Sequence, residues 1–131
     1  MSNVDTARAA YDAFGKGDMD TLREMFAEDA EWLTSDELPL GGRTSGRDAI
    51  MDNFSQIPNY WSEFSVEPEQ FIDGGDDVVV SGTQRGTGEA GSFESPFLHL
   101  MHFEGGKVTR GEFEADSAKA LKALGSKATA A

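Results

Sequence analysis

Cysteine is absent from the sequence, which excludes a disulfide framework, a thiolate zinc site and a cysteine nucleophile, and leaves the redox compartment open. Basic residues are scarce: 11 Lys and Arg stand against 24 Asp and Glu, for a formal charge of −13. Such a balance repels phosphate backbones and anionic lipid surfaces, so neither nucleic acid nor a membrane is an expected partner. The acids are spread along the chain without forming a tail, which describes a solvated surface; adaptation to high salt is a second reading that composition leaves open. Long apolar runs are missing too, with nothing near the roughly 20 residues of a spanning helix. The opening MSNVDTARAAYDAF carries acids where a secretion signal needs basic and then apolar residues. A soluble, cytoplasmic protein is expected. Histidine occurs twice, and His99 and His102, an odd number of residues apart on a strand, point to opposite faces and do not chelate one metal ion. No GxSxG nucleophile motif is present.

What is present reads as one α+β domain over residues 1–131, with a frayed tail over 125–131. Val4, Ala7, Tyr11 and Phe14 recur at helical spacing, and Gly15 and Gly17 end the run. Asp18 caps a second, shorter helix carrying Met19, Leu22, Met25 and Phe26, with Asp29 near its end. A short strand over 30–33 leads into an irregular loop at Pro39, Gly41 and Gly42, and RDAIMDNFSQI gives a third helix ended by Pro58. Strands follow over 64–72, 78–84, 92–103 and 107–115, then a short helix over 117–124.

The stretch Gly86 to Gly91, GTGEAG, spells the dinucleotide-binding pattern GxGxxG. That fingerprint needs a helix after the glycines, because the helix N-terminus holds the pyrophosphate. Here SFESPFLHLMHF follows, which alternates as a strand, so the glycines are read as a bend between two strands and no nucleotide cofactor is expected.

The runs AAYDAFGKGDMDTLREMFAEDAEW, the PxGGxxxGRDAI of Pro39 to Ile50, FSVEPEQF, and SFESPFLHLMHFEGGKV with FEADSA resemble the SnoaL-like, ketosteroid isomerase-like proteins of the nuclear transport factor 2-like superfamily. The resemblance implies a cone: a strongly curved antiparallel sheet wrapped around three N-terminal helices, with a short C-terminal helix, an apolar pocket on the concave side and a homodimer through the convex face. Alternation puts Phe97, His99, Met101 and Phe103 on one face of the long strand and Leu98, Leu100 and His102 on the other. The resemblance assigns the first set to the pocket and the second to the dimer interface.

The same resemblance implies a small apolar carbonyl ligand and cofactor-free proton transfer beside the carbonyl, of isomerase or polyketide-cyclase type. The alternative is a non-catalytic ligand-binding or dimerisation module. His99 falls where ketosteroid isomerases carry an oxyanion-stabilising acid, and Asp116 matches the aspartate proposed as base in the cyclases; Asp116 reads equally well as the N-cap of the last helix. Trp32, Thr34, Trp61 and Glu114 complete the expected pocket with Phe97, Met101 and Phe103. Glu114 shares a face with Glu112, Asp116 and Arg110, which reads either as a cluster of coupled acids or as a solvated strand end. Two departures weigh against steroid isomerisation. The isomerase base maps onto Thr34, with Asp36 two residues on, and the pocket tyrosine maps onto Ala10, which turns Tyr11 to another face of its helix. No metal or other cofactor is implied.

Overall fold

The computed structural model describes residues 2–129. Helix α1 (Asn3–Lys16) starts at Ser2, whose side chain accepts from the Asp5 N–H while the Asp5 carboxylate accepts from the Ser2 N–H. It stops where Gly17 adopts φ 71°, a conformation that suits glycine, and returns its N–H to the last carbonyls. Asp18 caps α2 (Met19–Glu24). That helix is shorter than expected. Strand β1 (Phe26–Thr34) begins at Phe26 because the Val108 N–H reaches the Met25 carbonyl and Phe26 pairs with Val108, a long-range pairing that overrides the local helical pattern.

The irregular loop expected at Pro39, Gly41 and Gly42 also needs correction, since Gly42–Ser45 forms an edge strand, β2, against β1. Helix α3 (Arg47–Ser55) is followed by a separate turn of helix, α4 (Ile57–Tyr60), with Pro58 in its first turn. Strands β3 (Glu63–Gly74), β4 (Asp77–Gly88), β5 (Gly91–Glu104) and β6 (Lys107–Ala115) then run as a meander, and α5 (Ser117–Leu124) closes it. The tail does not fray at once: Gly125–Thr129 forms a 3-10 turn, held where Glu89 accepts from the Ser126 N–H and hydroxyl. The rest of the expected frayed tail, 130–131, lies outside the described residues.

The six strands form one open, curved sheet in the order β2-β1-β6-β5-β4-β3. It is antiparallel except between β1 and β6, which run parallel because the helical segment and the meander separate them in sequence. The α1 helix packs on β3 and β4, and α3 packs on β1. Ala7, Ala10 and Ala13 are buried on α1, and their small size lets the helix approach Val78, Val80 and Phe97 of the sheet. In β5 the alternation is strict, with Phe93, Ser95, Phe97, His99, Met101 and Phe103 buried and the intervening residues outside. A helix-covered concave face and an uncovered convex face result.

Candidate functional site

Between the concave sheet face and the helices lies a cavity of about 160 Å³. The sheet contributes Trp32 and Thr34 from β1, Gln84 from β4, His99 from β5 and Phe113 from β6. Tyr11 and Phe14 of α1 and Phe54 of α3 face them. The loop after β1 adds Leu38 to Leu40, α4 brings Tyr60 with Trp61 beside it, and α5 adds Ala120 and Leu124. No Asp, Glu, Lys or Arg lines the cavity among the described residues.

His99 is its most distinctive polar group, 6% exposed and set among aromatic rings. Its Nδ1 lies 2.7 Å from the Tyr11 hydroxyl, a contact between residues 88 positions apart. The Trp32 ring stands at 80° to the imidazole with centroids 5.0 Å apart, and the Phe113 ring at 64° and 5.6 Å. Nε2 is buried and has no hydrogen-bond partner among the described residues. Burial lowers the His99 pKa to about 3, because this site cannot hydrate an imidazolium. Burial also raises the Tyr11 pKa, so both members of the pair are neutral at pH 7.

Glycines shape the walls. A Cβ on Gly111 would lie 2.7 Å from the Trp32 ring and 3.3 Å from His99 Nε2, so the absent side chain lets the indole lie across β6 to the imidazole. At the other end, a Cβ on Gly86 would meet Phe93 at 2.7 Å and Trp61 at 3.0 Å. The glycines of GTGEAG therefore make room for two rings, and the turn they flank is only Glu89 and Ala90. The Ala90 N–H also bonds the Ala123 carbonyl, which ties α5 to this hairpin.

Residues 7–111 match the SnoaL-like domain, most of the chain. The chain belongs to the SnoaL-like domain family. Among solved structures, it is similar to an NTF2-like protein of unknown function from Burkholderia pseudomallei, at 31% identity over 95% of this chain and 98% of the other, with a TM-score of 0.87. It is also similar to TerC, co-crystallised with polyporic acid, at 27% identity over 95% and 98%, with a TM-score of 0.86. A putative SnoaL-like polyketide cyclase from Jannaschia shares the fold, at 17% identity over 95% and 92% and a TM-score of 0.81. The sequence matches none of the curated proteins.

Of the residues the sequence suggested for this SnoaL-like site, Trp32, Thr34, Trp61 and His99 line the cavity. Phe97, Met101 and Phe103 share the buried face but sit deeper, in the core. Phe97 stacks against Phe113 at 4.9 Å and supports that wall from behind. Glu114 is exposed, opposite Leu98 on the convex face, which removes it from the pocket. The Glu112 carboxylate is engaged by Arg110 at 2.5 Å. Asp116 is also exposed and does not line the cavity; its carboxylate accepts from the Lys119 N–H at 3.1 Å and caps α5. It therefore does not converge with His99. Asp36 is exposed as well.

Tyr11 is the main addition. Its alignment one place from the isomerase tyrosine pointed it away from the site, yet it reaches His99. The helical stripe of Val4, Ala7, Tyr11 and Phe14 was the signal that could have found it. The two histidines do separate by face: His99 is buried, while His102 lies half-exposed with Nδ1 2.8 Å from Asp77, which raises its pKa. Among the described residues no helix is long and apolar enough to cross a membrane.

Proposed function

We propose that this SnoaL-like protein binds a small, flat, uncharged and largely apolar carbonyl compound in the cavity, with the oxygen directed at His99. The observation that carries this reading is the lack, among the described residues, of any Asp, Glu, Lys or Arg lining the cavity, in a chain of net charge −13. A carboxylate or phosphate ligand would lose its water there without gaining a counter-charge, at a cost of several kcal/mol. A carbonyl loses far less and can recover a hydrogen bond from His99. The walls of Trp32, Phe54, Phe113 and Trp61 suit a planar ring system.

A catalytic reading, cofactor-free proton transfer beside the carbonyl, takes its support from the family and from the fold shared with the putative polyketide cyclase. It needs a base. With Asp116 committed to the α5 cap and His99 held at a pKa of about 3, the lining side chains favour binding and carbonyl polarisation over proton abstraction. We further propose self-association through the convex face, where Leu98 is 58% exposed, Leu100 37% and Ile72 48%.

The test uses the protein's own fluorescence, because its two tryptophans, Trp32 and Trp61, both line the cavity. Titration with 1-tetralone and with 1,4-naphthoquinone is expected to quench them saturably, with 1-naphthoate inert at the same concentrations. Saturable quenching by the carboxylate alone sinks the reading. Turnover assayed on 1-tetralone, by exchange of its C2 hydrogens next to the carbonyl in deuterium oxide, separates binding from catalysis.

A further inference from the structure

The hydroxyl of Tyr11 and Nδ1 of His99 meet at 2.7 Å, while Nε2 has no partner among the described residues. The pair can hold its protons in two ways. In one, the phenol donates to Nδ1, the imidazole proton sits on Nε2, and one buried N–H is left unmatched. In the other, Nδ1–H donates to the phenol oxygen, and both the phenol hydrogen and the Nε2 lone pair are left unmatched. Nε2 is buried and unmatched in both arrangements, and the second adds an unmatched phenol hydrogen on the partly buried Tyr11, so the first is favoured. The rings of Trp32 and Phe113 stand steeply inclined to the imidazole and offer it no conventional hydrogen-bond acceptor.

We propose that Tyr11 is a positioning residue that fixes His99 as its Nε2–H tautomer, so that the cavity selects uncharged ligands by an acceptor oxygen and disfavours those whose polar group is a donor. This rests on the reading of the cavity as a ligand site and gives that site a polarity. The imidazole is kept neutral by burial, so it offers one N–H and no net charge. Nε2 is covered beside the Trp32 ring over Gly111, so an acceptor atom reaches it by displacing the edge of that half-buried indole.

The tautomer can be read without a ligand, from long-range proton–nitrogen correlation on nitrogen-15-labelled protein at neutral pH. His99 is expected to show a protonated Nε2 and an unprotonated Nδ1; the reverse pattern overturns the proposal. Selectivity is read from amide shifts during titration with two bicycles of matched size, 1-indanone, which only accepts, and indole, whose N–H only donates. Wild type is expected to favour 1-indanone by about tenfold, the worth of one buried hydrogen bond. In Tyr11→Phe both tautomers become available and the ratio falls toward one. Equal affinities in wild type, or a tenfold ratio that survives in Tyr11→Phe, overturns the proposal. If neither bicycle binds, the ligand reading falls and the selectivity with it, while the tautomer assignment still stands or falls on the nitrogen shifts. The wild-type measurement decides that assignment even where Tyr11→Phe does not fold.

Discussion

Acid is expected to destabilise this protein through His99. Burial holds the folded-state pKa at about 3, against about 6.5 for an ordinary histidine. Between those values the unfolded chain takes up a proton that the folded chain refuses. The stability conferred by a neutral His99 is therefore complete above about pH 6.5 and is lost progressively as the pH falls towards 3. At pH 4.5 the solution lies about 2 units below the unfolded value, and at about 1.4 kcal/mol per unit the loss is roughly 3 kcal/mol. That is a substantial part of the roughly 5–15 kcal/mol that holds a typical domain folded.

Carboxylates titrate over the same range, so the comparison must be with His99→Gln, which cannot titrate and keeps an amide within reach of Tyr11. Urea unfolding of both proteins at pH 7.5 and 4.5 is the assay. Wild type should lose about 3 kcal/mol more than the variant, a difference of roughly 1–3 M in the change of midpoint. Equal losses would refute the account of His99 as a buried neutral imidazole. Histidine ring signals offer an independent check, since there are only two. His99 should not move above pH 5. His102 should titrate above 6.5, because Asp77 raises its pKa, so its contribution is present in acid and disappears as the pH rises through that raised value.

Three further outcomes follow from the geometry. Gly111→Ala would place a methyl group 2.7 Å from the Trp32 ring, so the indole should be driven off β6, with a shift in tryptophan emission and a cost of about 1–3 kcal/mol in urea unfolding. Asp116→Ala should remove the α5 cap at a cost of about 1 kcal/mol, most of it restored in Asp116→Asn, and leave ketone affinity unchanged; a large loss of binding in both would return Asp116 to the site. Leu98→Lys should leave thermal unfolding of the subunit nearly unchanged and shift sedimentation towards a smaller species, whereas unchanged sedimentation would remove the convex face as the association surface.

The sheet was legible where alternation was strict and turns were marked by glycine. Lys107–Ala115 and Ser117–Leu124 have the bounds that the pattern predicts. Strand β1 was less legible because Phe26 continues a helical stripe locally and joins a strand only by pairing with β6, information that lies 82 residues away between Phe26 and Val108. In the site, parity identified the buried face of β5 but could not say how far along that face the cavity extends. Phe97, Met101 and Phe103 have the right direction and the wrong depth. Asp116 shows the opposite failure, since a carboxylate before a helix fits a base and a cap equally well in sequence, and only the bond to Lys119 distinguishes them.

The cavity divides its tasks between two kinds of residue. The polar group set deepest in the cavity is one hydrogen-bonded pair, the partly buried Tyr11 and the buried His99, contributed by the first helix and the fifth strand and flanked by aromatic rings. Size and shape come from elsewhere, from Leu38 to Leu40 in the loop after β1, from Trp61, and from Ala120 and Leu124 of α5. Substitutions in the second group, such as Leu38→Phe, should therefore change which ring system fits while the preference for an acceptor oxygen persists. Substitutions in the first should change the preferred functional group while the ring system stays the same. Backbone variation is tolerated more easily in the loop after β1 than at Tyr11 and His99, where an unmatched buried polar group carries a desolvation cost. The ligand shape this frame accepts can thus be changed without altering the hydrogen bond at its centre.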